Sequence, residues 1–271
     1  MSQLRSRLIP PSRKLIEKKG RETFLIPVEW ANDWPIFNQG QKVSLTITTP
    51  HLIQSDAPSP PTWRDNFDTP TLQLGWYRKN TPVGIEDYSL TERRGHLRLH
   101  GGPYDLSVPA SPTLFLRKQT HRVCTWTTNL SFHPTSPSTE AGTVLWWNYF
   151  TYSSVGIRRA ADGRRIVRFR PADGQHVDRV LEETSEGKEG ESIQLIIECG
   201  DIYRFGFRAK SPNSGLGLNA PINWIGQVTN RAMTVSPPVG MAFTGMMFGL
   251  YAFGERQPCL VPADFQYADM R

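Results

Sequence analysis

Short strand-like segments recur roughly every 8–15 residues from Trp63 to the end of the chain, with Gly, Pro and Asn between them. The segment His96–His100 alternates apolar and polar residues, which is typical of a strand with one face in solvent. Thr143–Trp147 and Met246–Ala252 are nearly continuous apolar runs, which favour strands covered on both faces. No segment after Trp63 sustains a helical period. The pattern predicts an all-β fold of two packed sheets, a β-sandwich or jelly roll.

The composition permits such a fold without disulfide or metal support. A chain of 271 residues can bury a large core, and 22 Gly and 22 Pro suit a protein rich in turns. The cysteines Cys124, Cys199 and Cys259 lack metal-ligand spacing, and their odd number allows at most one disulfide. This cysteine usage and the polar start Met1–Lys19 predict a cytoplasmic protein without a secretory signal. No apolar run is long enough to span a membrane, so no membrane partner is expected.

Much of the positive charge lies at the start of the chain. The net charge is +6, and residues 1–22 hold seven Lys and Arg against two Glu. We predict a disordered basic tail over residues 1–22. Basic tails can contact nucleic acid, but this one lacks interleaved aromatic residues and any nucleic-acid motif. No nucleic-acid partner is therefore expected.

Residues 23–62 separate this tail from the predicted sandwich. Their first part is apolar and aromatic, whereas the stretch 50–62 contains four prolines. Each proline removes a backbone donor and favours an extended chain, so this stretch is predicted to be a linker. The predicted organisation is a tail over 1–22, an intermediate segment with its linker over 23–62, and a sandwich over 63–271.

Several segments of the predicted sandwich resemble one protein family. They are the entry segment Trp63–Asp68, the segment Pro112–His121 and the closing stretch from Val239 to Tyr267. Together they resemble the C-terminal domain of glycoside hydrolase family 43, which contains β-xylosidases and arabinofuranosidases. The resemblance runs to Arg271 and implies a two-sheet concanavalin A-like β-sandwich.

Two earlier segments, Gly20–Trp30 and Asp33–Asn38, resemble the last part of that family's catalytic five-bladed propeller. The rest of the propeller, which holds the family's catalytic carboxylates, has no counterpart in this sequence, so no catalytic residue is carried over. The resemblance therefore implies a sandwich module that is not catalytic alone. Its expected partners are a xylo- or arabino-oligosaccharide or a propeller-type protein.

The resemblance also indicates a sugar-contacting residue. In related β-xylosidases an aromatic side chain before the closing strands reaches into the sugar pocket of the propeller, and Phe243 is the matching residue. Trp146 and Trp147 are a second aromatic candidate, taken from the sequence pattern alone. Neighbours in a strand point to opposite faces, so at least one of them is expected in the core. The other is a candidate for stacking on a sugar ring.

Two alternatives to a binding module stay open at this point. Arg117, His121, Arg168 and Arg170 could line a pocket on the concave face of the sandwich and support other, non-glycosidase chemistry. The chain could also be a truncated fragment of a glycoside hydrolase with no role of its own. The fold class alone does not decide between these readings.

Calcium is the metal that the resemblance implies, because concanavalin A-like sandwiches often hold a structural Ca²⁺ near the chain ends. Asp68 and Asp264 are the candidate ligands, since calcium prefers oxygen donors. Zinc is not expected. His96 and His100 fall on one side of a predicted strand, but the cationic Arg98 lies between them on that side.

Overall fold

The structure is a computed structural model that describes residues 26–42, 62–79, 84–181, 192–209, 221–236, 240–241 and 244–271. Its strands in chain order are β1 (Val28–Ala31), β2 (Trp34–Phe37), β3 (Trp63–Asp65), β4 (Trp76–Arg78), β5 (Tyr88–Ser89), β6 (Leu97–Leu99), β7 (Thr113–Lys118), β8 (Cys124–Ser131), β9 (Thr139–Asn148), β10 (Thr151–Arg159), β11 (Arg165–Arg170), β12 (Val177–Val180), β13 (Ile193–Cys199), β14 (Ile202–Ala209), β15 (Asn223–Thr229), β16 (Val235–Ser236), β17 (Gly240–Met241), β18 (Met247–Gly254) and β19 (Ala263–Met270). A 3₁₀ turn covers Asn38–Gly40, and the short helix α1 covers Asn230–Thr234. Within the described ranges, no helix is long and apolar enough to cross a membrane.

Two antiparallel sheets form the body of the protein. The seven-stranded sheet has the order β12-β11-β10-β9-β18-β7-β4, and the eight-stranded sheet has the order β15-β14-β13-β8-β19-β6-β5 with β3 paired to β19. The last two strands are central, because β18 lies between β9 and β7 while β19 lies between β8 and β6. The predicted all-β, two-sheet architecture is confirmed, and the closing stretch completes both sheets.

The main core lies between the sheets and is built by strand alternation. On β9, Ala141 and Leu145 belong to this core, and Thr143 points the same way. Trp126 of the facing sheet stacks on Phe248 of β18 with ring centroids 5.0 Å apart. Its indole nitrogen donates to the hydroxyl of Thr143 at 2.8 Å, and that hydroxyl donates to the carbonyl oxygen of Gly249 at 2.7 Å. A buried hydrogen-bonded chain thus joins the two sheets.

A second apolar cluster covers the outer face of the seven-stranded sheet. Its buried members are Leu106, Leu114, Leu116, Val144, Trp146, Tyr251 and Phe253. Leu106 comes from the loop between β6 and β7, and the others come from β7, β9 and β18. The central strands β9 and β18 are therefore packed on both faces, as their nearly continuous apolar sequences predict.

A separate hairpin, β1–β2, precedes the sandwich. Its turn residues Asn32 and Asp33 both have positive φ (50° and 63°), a conformation that asparagine and aspartate tolerate and that suits a two-residue hairpin turn. Among the described residues these strands pair only with each other. Trp30 and Trp34 are 72% and 74% exposed, so the hairpin packs little of its aromatic surface.

The predicted tail over 1–22 and most of the predicted linker lie outside the described residues. The hairpin falls inside the intermediate segment predicted over 23–62, and the sandwich strands begin at Trp63, where the sequence places the domain start. The domain boundaries themselves stay predictions.

We predict that Thr143→Val will destabilise the protein by about 2–3 kcal/mol, although it nearly preserves the side-chain shape. The variant leaves the buried indole N–H of Trp126 without its acceptor. Chemical denaturation would measure the loss. Thr127→Val is the matched control, because Thr127 is only half-buried and alternates with Trp126 on the outer face of β8. Equal effects of the two substitutions would contradict the cross-sheet role of Thr143.

Candidate functional site

The outer face of the seven-stranded sheet carries the first candidate site. One row across it contains Tyr251 on β18, Gly142 on β9, Gly156 on β10 and Arg168 on β11. A Cβ atom at Gly156 would overlap the hydroxyl of Tyr251, and one at Gly142 would lie 3.0 Å from it. The paired glycines therefore leave the space that the Tyr251 hydroxyl occupies.

Glu140 places a carboxylate beside this row with only 1% of its surface exposed. The hydroxyl of Tyr251 donates to its Oε1 at 2.7 Å, and Nη1 of Arg158 lies 3.4 Å from its Oε2. Nη2 of Arg170 is 3.9 Å from the same oxygen. Burial, followed by the nearby Glu140 carboxylate, raises the pKa of Tyr251 well above its usual value. The phenol therefore stays protonated and keeps donating.

Two further ion pairs lie on this face. Arg168 donates to both carboxylate oxygens of Asp178 at 2.8 Å, and the hydrogen bond from Arg168 is the main cause that lowers the pKa of Asp178. Arg158 donates to Glu255 at 2.7 Å. Arg170 has about a third of its side chain exposed, and its contact with Glu140 is long. These groups form an ionic network around Glu140, and Arg170 has the most exposed side chain of its three arginines.

The two adjacent tryptophans occupy opposite faces of β9. Trp147 packs against the inter-sheet core, whereas Trp146 belongs to the outer cluster. Trp146 is only 3% exposed, because Tyr152 stacks on it at 5.6 Å and the ammonium of Lys79 lies 5.7 Å from its ring. Lys79 is held there by the carbonyl oxygens of Val108 and Ala110. Protein therefore covers Trp146, whereas Trp147 is partly buried.

The structure does not bring Arg117 and His121 to the site of Arg168. Arg117 shares its side of β7 with the core residue Phe115, and its guanidinium lies 3.9 Å from the ring centre of Trp63. It also donates to the carbonyl oxygen of Leu74 at 2.8 Å. His121 lies in the loop after β7, with Nδ1 2.9 Å from the hydroxyl of Thr120. Only Arg168 and Arg170 of the four predicted pocket residues share the outer face.

The residues predicted for calcium do not fit a calcium site. Oδ1 of Asp264 accepts from Arg98 at 2.7 Å, and its Oδ2 accepts from Arg93 at 2.7 Å. Two guanidinium groups thus occupy the position in which a cation would lie. Asp68 is exposed in the loop after β3. Across the described ranges, no group of three or more His, Cys, Asp or Glu side chains is placed to hold a metal.

Phe243, the predicted sugar-contacting residue, lies outside the described residues. Sequence reasoning missed the buried pair of Glu140 and Tyr251. A usable signal was present, since Gly142 and Gly156 interrupt two strands, and glycine inside a strand often marks the close approach of another group. The pairing itself was not predictable, because Tyr251 comes from a strand more than a hundred residues later in the chain.

The hairpin β1–β2 is the second candidate surface. The register pairs Val28 with Phe37 and Trp30 with Pro35, so these four apolar residues share one face. Trp34 lies on the opposite face. Exposed apolar clusters of this kind mark interaction sites in soluble proteins. The sequence shows the aromatic residues but not their exposure. In the structure they are exposed, and the hairpin pairs with no strand of the described sandwich.

The chain is similar to proteins of one glycoside hydrolase family. The family profile described as the β-xylosidase C-terminal concanavalin A-like domain matches residues 64–271. A non-reducing end α-L-arabinofuranosidase of Bacteroides ovatus is 31% identical over 266 residues, which cover 97% of this chain and 47% of that protein. A putative β-xylosidase of Escherichia coli is 30% identical over 134 residues, which cover 49% of this chain and 25% of that protein. The chain thus spans about half the length of the first relative and matches less of the second.

Solved structures agree with the fold. The Bacteroides ovatus xyloglucan PUL protein GH43B superimposes with a TM-score of 0.76 at 29% identity, covering 93% of this chain and 47% of that one. A xylan β-1,4-xylosidase from Bacillus halodurans superimposes with a TM-score of 0.74 at 23% identity and the same coverage, which supports the fold alone. The predicted concanavalin A-like sandwich is confirmed.

We expect Gly156→Ala to destabilise the protein by about 3 kcal/mol, because the added Cβ would overlap the Tyr251 hydroxyl and lie 2.8 Å from the carbonyl oxygen of Ala141. Denaturant titration followed by tryptophan fluorescence would measure the change. Gly102→Ala is the control, since its Cβ would meet only the hydroxyl of Thr113, at 3.6 Å. A loss below 1 kcal/mol for Gly156→Ala would show that the row does not need its glycine.

A second prediction concerns pH. Burial opposes the ionisation of Asp264, but hydrogen bonds from Arg98 and Arg93 outweigh it and lower its pKa. The resulting stability is present above the carboxyl's unfolded pKa of about 3.9 and is lost as pH falls through the lower folded value. We expect Asp264→Asn to lower the free energy of unfolding by about 2 kcal/mol at pH 7. The variant should also lose less stability than the wild type as the pH falls.

Stability measured from pH 7 to pH 2 would check this. Asp162→Asn is the control, because Asp162 forms its ion pair with Arg164 in solvent at a hairpin turn. An equal loss of stability between pH 7 and pH 2 in the wild type and in Asp264→Asn would contradict the assignment.

Proposed function

Because the chain belongs to the family of β-xylosidase C-terminal concanavalin A-like domains, we propose that it is the accessory sandwich of a glycoside hydrolase and docks on a catalytic domain. The Bacteroides ovatus arabinofuranosidase is about twice as long as the segment matched here, so roughly half of it has no counterpart in this chain. The proposed partner is a propeller-type glycosidase domain, the kind of domain that we assign to the unmatched half. Binding of a xylo- or arabino-oligosaccharide then belongs to the assembled enzyme.

The hairpin β1–β2 is the observation that carries this proposal. Trp30 and Trp34 point to opposite sides of a two-stranded ribbon and are both more than 70% exposed. A hairpin of two strands is marginally stable in water and needs a covering surface. The alignment with the arabinofuranosidase covers 97% of the chain, so it includes most of this segment. The hairpin therefore has the exposure and the placement expected of a docking element.

Three carboxylates in the described part of the sandwich are held by neighbouring side chains and are not placed for hydrolysis. An inverting glycosidase needs two carboxyl groups about 6.5–9.5 Å apart that face a sugar and a water molecule. Glu140 is buried under Tyr251, and Asp178 accepts two hydrogen bonds from Arg168. Asp264 is held by two arginines. These groups stabilise the fold, so we assign the hydrolytic chemistry to the partner domain.

A fusion experiment tests the docking proposal. The part of the Bacteroides ovatus arabinofuranosidase that this chain does not match would be joined to this chain, and hydrolysis of an aryl arabinofuranoside would be measured. We expect activity from the fusion and none from this chain alone. In the fusion, Trp30→Ser with Trp34→Ser should lower activity at least tenfold, because the catalytic domain then loses its contacts with both indoles.

The matched control replaces exposed apolar residues elsewhere, Val123→Ser with Leu260→Ser. All four positions are exposed, so the isolated chain should melt at nearly the same temperature in every variant. Hydrolysis by the isolated chain would contradict the non-catalytic assignment. Full activity of the fused hairpin variant would contradict the docking role of the hairpin.

A further inference from the structure

Two of the three cysteines are directly opposed across neighbouring strands. Cys124 is the first residue of β8, Cys199 is the last residue of β13, and the antiparallel register pairs them. Both belong to the inter-sheet core, with 5% and 1% of their surfaces exposed. Tyr203 of β14 follows in the same row, opposite Cys199. The two thiols therefore point to the same side of the sheet from facing positions.

This placement matches the requirements of a disulfide. Directly opposed residues of antiparallel strands have Cα atoms about 4.5–5.5 Å apart. Disulfides join Cα atoms about 4.4–6.8 Å apart, so the strands need not separate for a bond to form. We propose that Cys124 and Cys199 form an oxidation site that takes a small-molecule disulfide, such as oxidised glutathione, and closes into a cross-strand disulfide.

The chemistry is two successive thiol–disulfide exchanges. The thiolate of one cysteine attacks a sulfur of oxidised glutathione, forms a mixed disulfide and releases one glutathione thiolate. The second cysteine loses its proton to solvent and attacks the protein sulfur of the mixed disulfide, which releases the second glutathione. The protein loses two electrons and two protons, and one oxidised glutathione becomes two glutathione molecules.

Access to the pair comes from its position at the end of the sheet. Val123, just before β8, is 78% exposed, and the turn residues Gly200 and Asp201 follow β13. Backbone hydrogen bonds between Thr125 and Arg271 close this end at 2.7 and 3.0 Å. Opening this end requires these two hydrogen bonds and the neighbouring terminal pairs of β8 and β19 to separate.

Cys259 is a built-in control for this site. It precedes β19, whereas the opposed pair lies beside the final residues of β19, so the two sites are at opposite ends of that strand. Its thiol donates to the carbonyl oxygen of Val261 at 3.1 Å, and burial raises its pKa. No register pair of the described sheets sets another cysteine opposite Cys259, so it lacks the second thiol that would close a disulfide.

The bond would join β8 to β13 and close a loop of chain that contains β9, β10, β11 and β12. A disulfide that closes a long loop restricts the unfolded chain and stabilises the folded state. We expect oxidation to raise the melting midpoint by about 5 °C or more, and dithiothreitol to reverse the rise.

The test uses the full chain with oxidised glutathione, at room temperature and a few degrees below the reduced melting midpoint. After alkylation and digestion, mass spectrometry should find one linked peptide that contains Cys124 and Cys199. Cys259→Ala should keep both the link and the rise in melting midpoint. Cys124→Ala and Cys199→Ala should lose both, with each variant compared against its own reduced midpoint so that any packing loss is separated from the loss of the bond.

Three results would overturn the proposal. The thiols of Cys124 and Cys199 could stay reduced even just below the midpoint, where the strand ends open often. A glutathione adduct could persist on one of them without closing. A linked peptide could contain Cys259 in place of either one. Each result would show that the opposed register does not bring the two sulfurs within bonding reach.

Discussion

The buried hydrogen-bonded chain from Trp126 through Thr143 to the carbonyl of Gly249 fixes how the two sheets meet. Trp126 is among the largest fully buried side chains, and its N–H would be costly to leave without an acceptor. Thr143 can serve it because a hydroxyl both accepts and donates. The carbonyl at the end of the chain belongs to β18, which reaches the centre of its sheet only when the last part of the sequence is in place. The core is therefore complete only with the closing strands.

Because β18 is inserted between β7 and β9, the outer face of the seven-stranded sheet becomes a packed layer as well. Tyr251 enters across Gly142 and covers Glu140, and the loop that carries Leu106 covers the neighbouring apolar residues. Charged groups that look available in the sequence are used to balance a buried carboxylate. The outer face therefore stabilises the fold, whereas the hairpin leaves its aromatic residues exposed.

Local patterns in the sequence predicted the strands, the doubly packed central runs and the opposite faces of Trp146 and Trp147. The turn at Asp162–Gly163 also follows from local chemistry, since Gly163 adopts the positive φ that joins β10 to β11. Partners that are distant in the chain were not predictable. Arg117 and Arg168 look equivalent in sequence, yet one stacks on Trp63 and the other pairs with Asp178, because strand insertion decides which side of each strand faces solvent.

The energetics of the hairpin bear on how the proposed docking works. Covering a tryptophan that is about 70% exposed removes roughly 150 Å² from water, which contributes about 4 kcal/mol, so Trp30 and Trp34 together contribute about 8 kcal/mol. Association of two separate proteins costs about 4–15 kcal/mol in lost freedom. The hairpin alone would then hold a separate partner weakly, because the gain and the cost are similar. When the partner is tethered, most of that cost is already met, and the same two indoles suffice to keep the domains docked. The hairpin is thus suited to orient a catalytic domain that is joined to the sandwich or brought close to it by further contacts.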